Sequence, residues 1–235
     1  HIPETMQDAD SARQRLALEE ATTLQEKVQI RRKRFMESMK ALPCAHDNRL
    51  IKPFLESLPF QLTKAQIRVL AEFREDLSVQ HPMRRLLQGD VGSGKTVIAV
   101  MAALMVLESG YDASMMAPTT LLAEQHYRTI SQWLAPYPIQ VALHTGNTKT
   151  PTKSELPLFT IGTHALIQSN ETSKKLGMVI IDEQHKFGVT QRDKLLRRGA
   201  HPHLLVMTAT PIPRTMGLTL YGDLDISTLE EMPAG

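Results

Sequence analysis

Gly89-Asp90-Val91-Gly92-Ser93-Gly94-Lys95-Thr96 is the stretch that decides how this chain is read. It follows the apolar run Arg85–Gln88 and opens a second apolar stretch, Thr96–Glu108, at helical spacing. Glycines spaced in this way let the backbone curl until its N–H groups converge at a helix amino terminus, which makes a nest for an anion. A lysine immediately before the hydroxyl residue supplies a compact cation for β- and γ-phosphates, and the hydroxyl offers a hard oxygen to Mg²⁺. The spacing therefore predicts a phosphate cradle built from Gly89 to Thr96, with Lys95 on the phosphates and Thr96 on the metal.

Around the cradle, short aliphatic runs alternate with helical spacing. Strands are predicted at Arg85–Gln88, Ala113–Ala117, Ile139–Leu143, Phe159–Gly162, Met178–Ile181 and Leu204–Thr208. Helices are predicted at Thr96–Glu108, Leu121–Trp133 and Val189–Arg197, and Thr145–Glu155 reads as a polar surface loop. Such alternation gives an α/β fold, a mainly parallel sheet with helices on both faces, and places ligands at the carboxyl ends of its strands. Met178-Val179-Ile180-Ile181 ends there in Asp182-Glu183. In the sheet that carries the cradle, Asp182 would hold Mg²⁺ and Glu183 would orient the water that attacks the γ-phosphate.

Residues Ser11 to Lys40 hold neither Gly nor Pro, and Leu16, Leu24, Val28, Phe35 and Met39 recur mostly at helical intervals behind a capping box at Ser11-Ala12-Arg13-Gln14. A helix over that length would reach about 45 Å. The chain is accordingly divided into a helical arm, residues 1–49, and a lobe, residues 50–235. The arm's Arg31-Arg32-Lys33-Arg34 run is read first as a solvated helix face and second as a phosphate contact. Over 235 residues the net charge is +2, with 27 Lys and Arg against 25 Asp and Glu, too little to announce a polyanion partner by itself. A single Cys44 excludes an intramolecular disulfide framework, and His201-Pro202-His203 and Cys44-Ala45-His46 lack the further ligands a zinc site needs. No apolar run reaches the roughly 18 residues of a membrane span, so a cytoplasmic protein without a membrane partner is expected. Arg84-Arg85 and Arg197-Arg198 read as solvated faces.

With these residues in view, the chain resembles the RecG family of superfamily 2 DNA helicases. Asp182-Glu183-Gln184-His185 resembles a DExH box, and the cradle resembles the family's motif I. Ala117 to His126 resembles motif Ia, Gly162-Thr163-His164-Ala165-Leu166 motif Ib, and Met207-Thr208-Ala209-Thr210-Pro211-Ile212-Pro213-Arg214-Thr215 motif III with its extension. Leu58-Pro59-Phe60-Gln61-Leu62-Thr63-Lys64-Ala65-Gln66 is similar to an adenine-recognition segment. The resemblance implies a RecA-like lobe in which Phe60 stacks on adenine and Gln66 pairs with its edge. It implies that Pro118, Thr119, Thr120, Gly162, Thr163 and His164 lie near the DNA backbone. Gln184, Thr208, Ala209 and Thr210 would couple nucleotide state to DNA contact, and His185 would join Lys95, Asp182 and Glu183 in the catalytic set.

The same resemblance implies ATP and Mg²⁺ as cofactors and branched or forked DNA as the partner in repair and recombination. It also implies a second motor lobe and a wedge domain, a monomeric protein, and a bacterial-type cytoplasm and nucleoid as its location. Neither a second lobe nor an arginine-finger motif follows Thr215 in these residues, so the 235 residues alone are expected to hydrolyse ATP feebly. A motor like that of the transcription-repair coupling factors stands as the alternative; that family typically has Phe where this chain has Ser93, and an acidic-Gln pair where it has Gln184-His185. A passive nucleotide- or DNA-binding module is a further alternative, against which Lys95, Asp182 and Glu183 speak. A transporter ATPase would require a Leu-Ser-Gly-Gly-type signature, which is not found.

Overall fold

The computed structural model describes residues 47–152, 155–168, 175–183, 201–210 and 224–232, and, before them, positions 10, 12, 13, 15–23, 26, 29, 30, 33, 40–42 and 44. The chain divides into two compact units, one of His1–Ser38 with Ile212–Asp225 and the other of Met39–Pro211 with Ile226–Gly235. In the first, the described positions from 10 to 33 are helical and exposed. The backbone is already helical at Asp10; Ser11 and Gln14, the expected capping pair, lie outside the described residues, as do Arg31, Arg32 and Arg34.

The second unit is built on strands too apolar to tolerate a wet face. β5 (Leu176–Asp182) is buried from Leu176 to Ile181, and β6 (His203–Thr208) is buried along its whole length. Runs of that kind are stable only with cover on both faces, the setting of parallel sheets. β1 (Arg84–Gly89), β2 (Asp112–Met116), β3 (Gln140–His144), β4 (Leu158–Gly162) and β7 (Asp225–Leu229) complete a seven-stranded sheet among the described residues, in the order β3-β4-β2-β5-β6-β1-β7. The pairings β3–β4, β4–β2, β2–β5, β5–β6 and β6–β1 are all parallel.

Cover comes from helices whose patterns differ with position. α1 (Ile51–Ser57) buries Ile51 and Phe54. α2 (Lys64–Ser78) is amphipathic and buries Ala65, Val69, Leu70, Phe73 and Leu77 along one stripe. α3 (Lys95–Leu107) is buried at every residue from Val97 to Leu107, as expected of a helix that is apolar all round. α4 (Thr120–Leu134) buries Ala123, Ile130 and Leu134 and packs over β3 and β4; α5 (Ala165–Gln168) is a single short turn. None of the helices among the described residues is long and apolar enough to cross a membrane.

The six expected strands are present with ends shifted by one or two residues, and β7 adds one that the sequence reading did not contain. The Thr145–Glu155 stretch is more ordered than a plain loop where it is described. Thr145 donates its N–H to Thr148 O at 2.8 Å, and Thr150 donates to Leu143 O at 2.9 Å, turning the chain back on β3. Arg85 corrects the expectation of a solvated face: its guanidinium binds Asp76 and Glu72 on α2 and Ser227 on β7, with the Glu72 and Ser227 contacts both at 3.0 Å. His203 is a satisfied core histidine, since Met83 donates its N–H to Nδ1 at 2.9 Å and Nε2 faces Leu42 O at 3.3 Å. Cys44 lies beside it, and burial pushes its thiol up to about 12. The helix expected at Val189–Arg197, and Arg197-Arg198, lie outside the described residues.

Candidate functional site

Because the strands run parallel, everything that follows a strand end gathers on one edge of the sheet. Gln88 pairs with Thr208 and Met207 with Asp182, so the cradle, the Thr208 turn and the Asp182-Glu183 pair follow three adjacent strands. Ile181 pairs with Met116, and Gly162 pairs with both Met116 and His144. The Pro118-Thr119-Thr120 and Gly162-Thr163-His164 segments therefore occupy the other half of the same edge.

The cradle turns where the sequence demands. Gly94 has φ +83°, a left-handed conformation, and begins α3 as its N-cap. Its space is limited too, for a Cβ there would stand 2.5 Å from Gln66 Nε2. Ser93 is buried and donates its N–H to Asp90 O at 3.2 Å, while Val91 at the tip is exposed. Lys95 Nζ folds back on the loop, donating to Gly89 O at 2.7 Å and Asp90 O at 2.8 Å. Burial draws its ammonium below the ordinary lysine range, and the charges of Glu183, Asp182 and Asp90 oppose that shift.

Gln66 stands behind the loop. Its side chain accepts from Thr63 N at 2.9 Å and donates to Ser93 O at 2.9 Å, and it has no exposed surface. The first bond is half of a capping box, since the Thr63 hydroxyl accepts from Gln66 N. Gln66 thus joins the amino terminus of α2 to the cradle. Phe60 is half-buried and lines a cavity of about 590 Å³ with Leu55, Leu58, Pro59, Leu62 and Ile67.

Asp182 closes β5, and Glu183 follows in a left-handed conformation, φ +53°, with its N–H donating to Met207 O at 3.0 Å. A side chain in that region costs about 1–2 kcal/mol, and such strain collects at functional sites. Asp182 Oδ2 accepts from Nε2 of His126, on α4, at 2.9 Å. Both side chains are 13% exposed. In the sequence His126 lies within the motif Ia resemblance with no role of its own; its placement seven residues after Thr119, two turns into an amphipathic helix, is the signal that points to it.

Hard oxygen donors are what Mg²⁺ takes, and the Thr96 hydroxyl and Asp182 carboxylate, on elements whose charges interact at Lys95, fit such an ion. At the end of β6, Thr210 donates its N–H to Thr208 Oγ1 at 3.2 Å, and the two hydroxyls lie 2.9 Å apart, with Ala209 between them. Thr119 and Thr120 are exposed at the start of α4, where the Thr119 hydroxyl accepts from Leu122 N at 3.3 Å, and Pro118 is half-buried. Thr163 is buried and His164 exposed. Gly162 is a glycine for a packing reason: an added Cβ would fall 1.9 Å from His144 O. Gln184 and His185 lie outside the described residues.

A parallel sheet with a phosphate cradle on one strand and an acidic pair two strands away defines a RecA-like nucleotide-binding lobe. Residues 63–218 match the family described as DEAD/DEAH box helicase. The chain belongs to that family, and within it the similarity is to RecG proteins. It is 47% identical to the ATP-dependent DNA helicase RecG of Synechocystis sp., with all of this chain and 29% of that protein covered. The RecG of Thermotoga maritima is 46% identical, with 100% and 31% covered. Among solved structures, RecG bound to a three-way DNA junction superposes with a TM-score of 0.84 at 45% identity, covering 100% of this chain and 32% of that one. The chain thus spans about a third of the length of these relatives.

Proposed function

We propose that this chain is the ATP-binding motor lobe of a RecG-like DNA helicase that acts on branched or forked DNA in repair and recombination. The observation that carries the reading is the shared edge: the cradle and the Asp182-Glu183 pair stand close enough for both carboxylates to act on the Lys95 charge. In this reading Gly89, Asp90, Val91, Gly92, Ser93 and Gly94 wrap the phosphates. Lys95 exchanges the carbonyls of Gly89 and Asp90 for phosphate oxygens, which are stronger, charged acceptors. Thr96 and Asp182 would hold Mg²⁺, which when bound neutralises charge developing between the β- and γ-phosphates. Glu183 orients water for in-line attack on the γ-phosphate and takes its proton.

Phe60 offers a ring face to adenine. Gln66 pairs with its edge by giving up its bond to Ser93 O, which would make the nucleotide itself the trigger that frees the loop. Pro118, Thr119, Thr120, Gly162, Thr163 and His164 face the DNA backbone, with hydroxyls and helix amino-terminal N–H groups as neutral donors. Gln184, Thr208, Ala209 and Thr210 relay between the halves of the edge, and His185 completes the catalytic set. Residues 1–49 serve as the arm towards a wedge domain, and a second motor lobe supplies the remaining charge on the γ-phosphate. The working protein is a monomer of the bacterial cytoplasm and nucleoid.

Fluorescent-nucleotide binding tests the site. Lys95→Ala should weaken affinity for a labelled ATP analogue at least tenfold while the fold is kept; unchanged affinity would refute the nucleotide site.

A further inference from the structure

His126 is the one hydrogen-bond partner of the Asp182 carboxylate among the described residues, and its position gives that contact a use. α4 buries Ala123, Ile130 and Leu134, and the helix packs on β3 and β4. His126 reaches sideways from this helix to the end of β5 and binds only Oδ2 of the carboxylate. A carboxylate is an acceptor only, so Nε2 carries the proton and the imidazole acts as donor. The other oxygen, Oδ1, stays available on a carboxylate whose rotation is now fixed. Outer partners of this kind orient a metal ligand and commonly account for about 10–100-fold in metal affinity.

We propose that His126 is a positioning residue for Asp182: it holds the carboxylate so that Oδ1 presents to the divalent cation, and so ties α4 to the metal site. The proposal rests on the nucleotide-site reading above. It concerns a residue outside the cradle and the acidic pair, and it adds a mechanical consequence. The helix that carries His126 begins at the exposed Thr119 and Thr120, so a shift of α4 along its axis moves the donor that fixes Asp182.

The test uses this chain with a non-hydrolysable ATP analogue and Mn²⁺ as the probe metal, free Mn²⁺ being read by electron paramagnetic resonance. His126→Phe, which keeps bulk and loses the donor, should weaken Mn²⁺ affinity about tenfold or more. His126→Gln, whose amide nitrogen stands about where Nε2 does, should recover most of it. Nucleotide binding in EDTA should be the same for all three proteins. In an Asp182→Asn background, His126→Phe should change Mn²⁺ affinity no further. Wild-type Mn²⁺ affinity in His126→Phe, equal losses in Phe and Gln, or an additive loss over Asp182→Asn would each overturn the proposal. If His126→Phe fails to fold, His126→Leu, which likewise lacks a donor, takes its place in each of these comparisons. Loss of EDTA binding in Lys95→Ala together with indifferent His126 variants would leave the nucleotide site standing and remove only this inference.

Discussion

Replacing Gly94 by Ala should destabilise the lobe by two separable contributions. The first is conformational: φ is +83°, and an L side chain in the left-handed region costs about 1–2 kcal/mol. The second is steric, because the new Cβ would lie 2.5 Å from Gln66 Nε2. The amide must move, and with it goes the bond from Gln66 to Ser93 O, worth about 1 kcal/mol. Gly94→Ala should therefore cost about 2–3 kcal/mol. In a Gln66→Ala background the clash has nothing to meet, and the same substitution should cost only the conformational part. A double-mutant cycle should then show a coupling of about 1 kcal/mol. Urea denaturation reads it through Trp133, the single tryptophan, which packs edge-on to Phe54 with ring centroids 6.2 Å apart. The midpoint should shift without a change in slope. Equal costs in the two backgrounds would refute the claim that Gln66 braces the cradle, and a neutral Gly94→Ala would refute the left-handed turn itself.

Two other perturbations follow from the same contacts. Gly162→Ala puts a Cβ 1.9 Å from His144 O and 3.0 Å from Leu166 Cγ, so the end of β3 must move away from β4 and strain the bond from Thr163 N to His144 O. A loss of about 2–4 kcal/mol is expected, with hydrogen exchange accelerated along Gln140–His144; wild-type protection there would contradict the packing. Glu108→Gln should change the pH profile of stability. Burial raises the Glu108 pKa, with Asp47 adding to it and hydrogen bonds from Leu50 and Asn48 opposing it, and Oε1 has no partner among the described residues. The folded state then keeps a proton that the unfolded chain releases near pH 4.3, so wild-type stability falls as pH rises above about that value. The glutamine variant does not share this fall, and its stability relative to wild type should climb as the pH rises above the ordinary glutamate range in denaturant titrations. A constant difference would show that Glu108 titrates normally.

What could be read from the sequence was whatever depends on neighbours in the chain. β5 and β6 are continuous aliphatic runs, so both were found along with the cradle and the Asp182-Glu183 pair. β7 was not, because Asp225-Ile226-Ser227-Thr228-Leu229 is a half-polar strand whose partners lie far back in the sequence. Arg85 reads as solvated because no local pattern shows that β1 lies between its acids on α2 and its hydroxyl on β7. Gln66 carried two signals at once. Thr63-Lys64-Ala65-Gln66 is a capping-box pattern, and the structure makes that box, a role that stands beside the adenine contact the family resemblance implies. The task of His126 is not legible in the sequence, because its partner is 56 residues away and only the docking of α4 brings them together.

The register also bears on how a DNA contact could reach the nucleotide at all. Met116 and Ile181 are paired neighbours, so the exit towards Pro118 and the Asp182 carboxylate begin one strand spacing apart, about 4.8 Å. The seam between the two halves of the sheet edge runs between β2 and β5, and His126 crosses it from the side. Coupling across that seam requires no long chain of side chains. A displacement of α4 by a fraction of an ångström changes a 2.9 Å hydrogen bond directly, whereas β5, buried from Leu176 to Ile181, has no freedom to follow. The near-neutral charge of the chain fits the proposed reading, in which a DNA contact would act through exposed hydroxyls and N–H groups at the start of α4 more than through a basic surface.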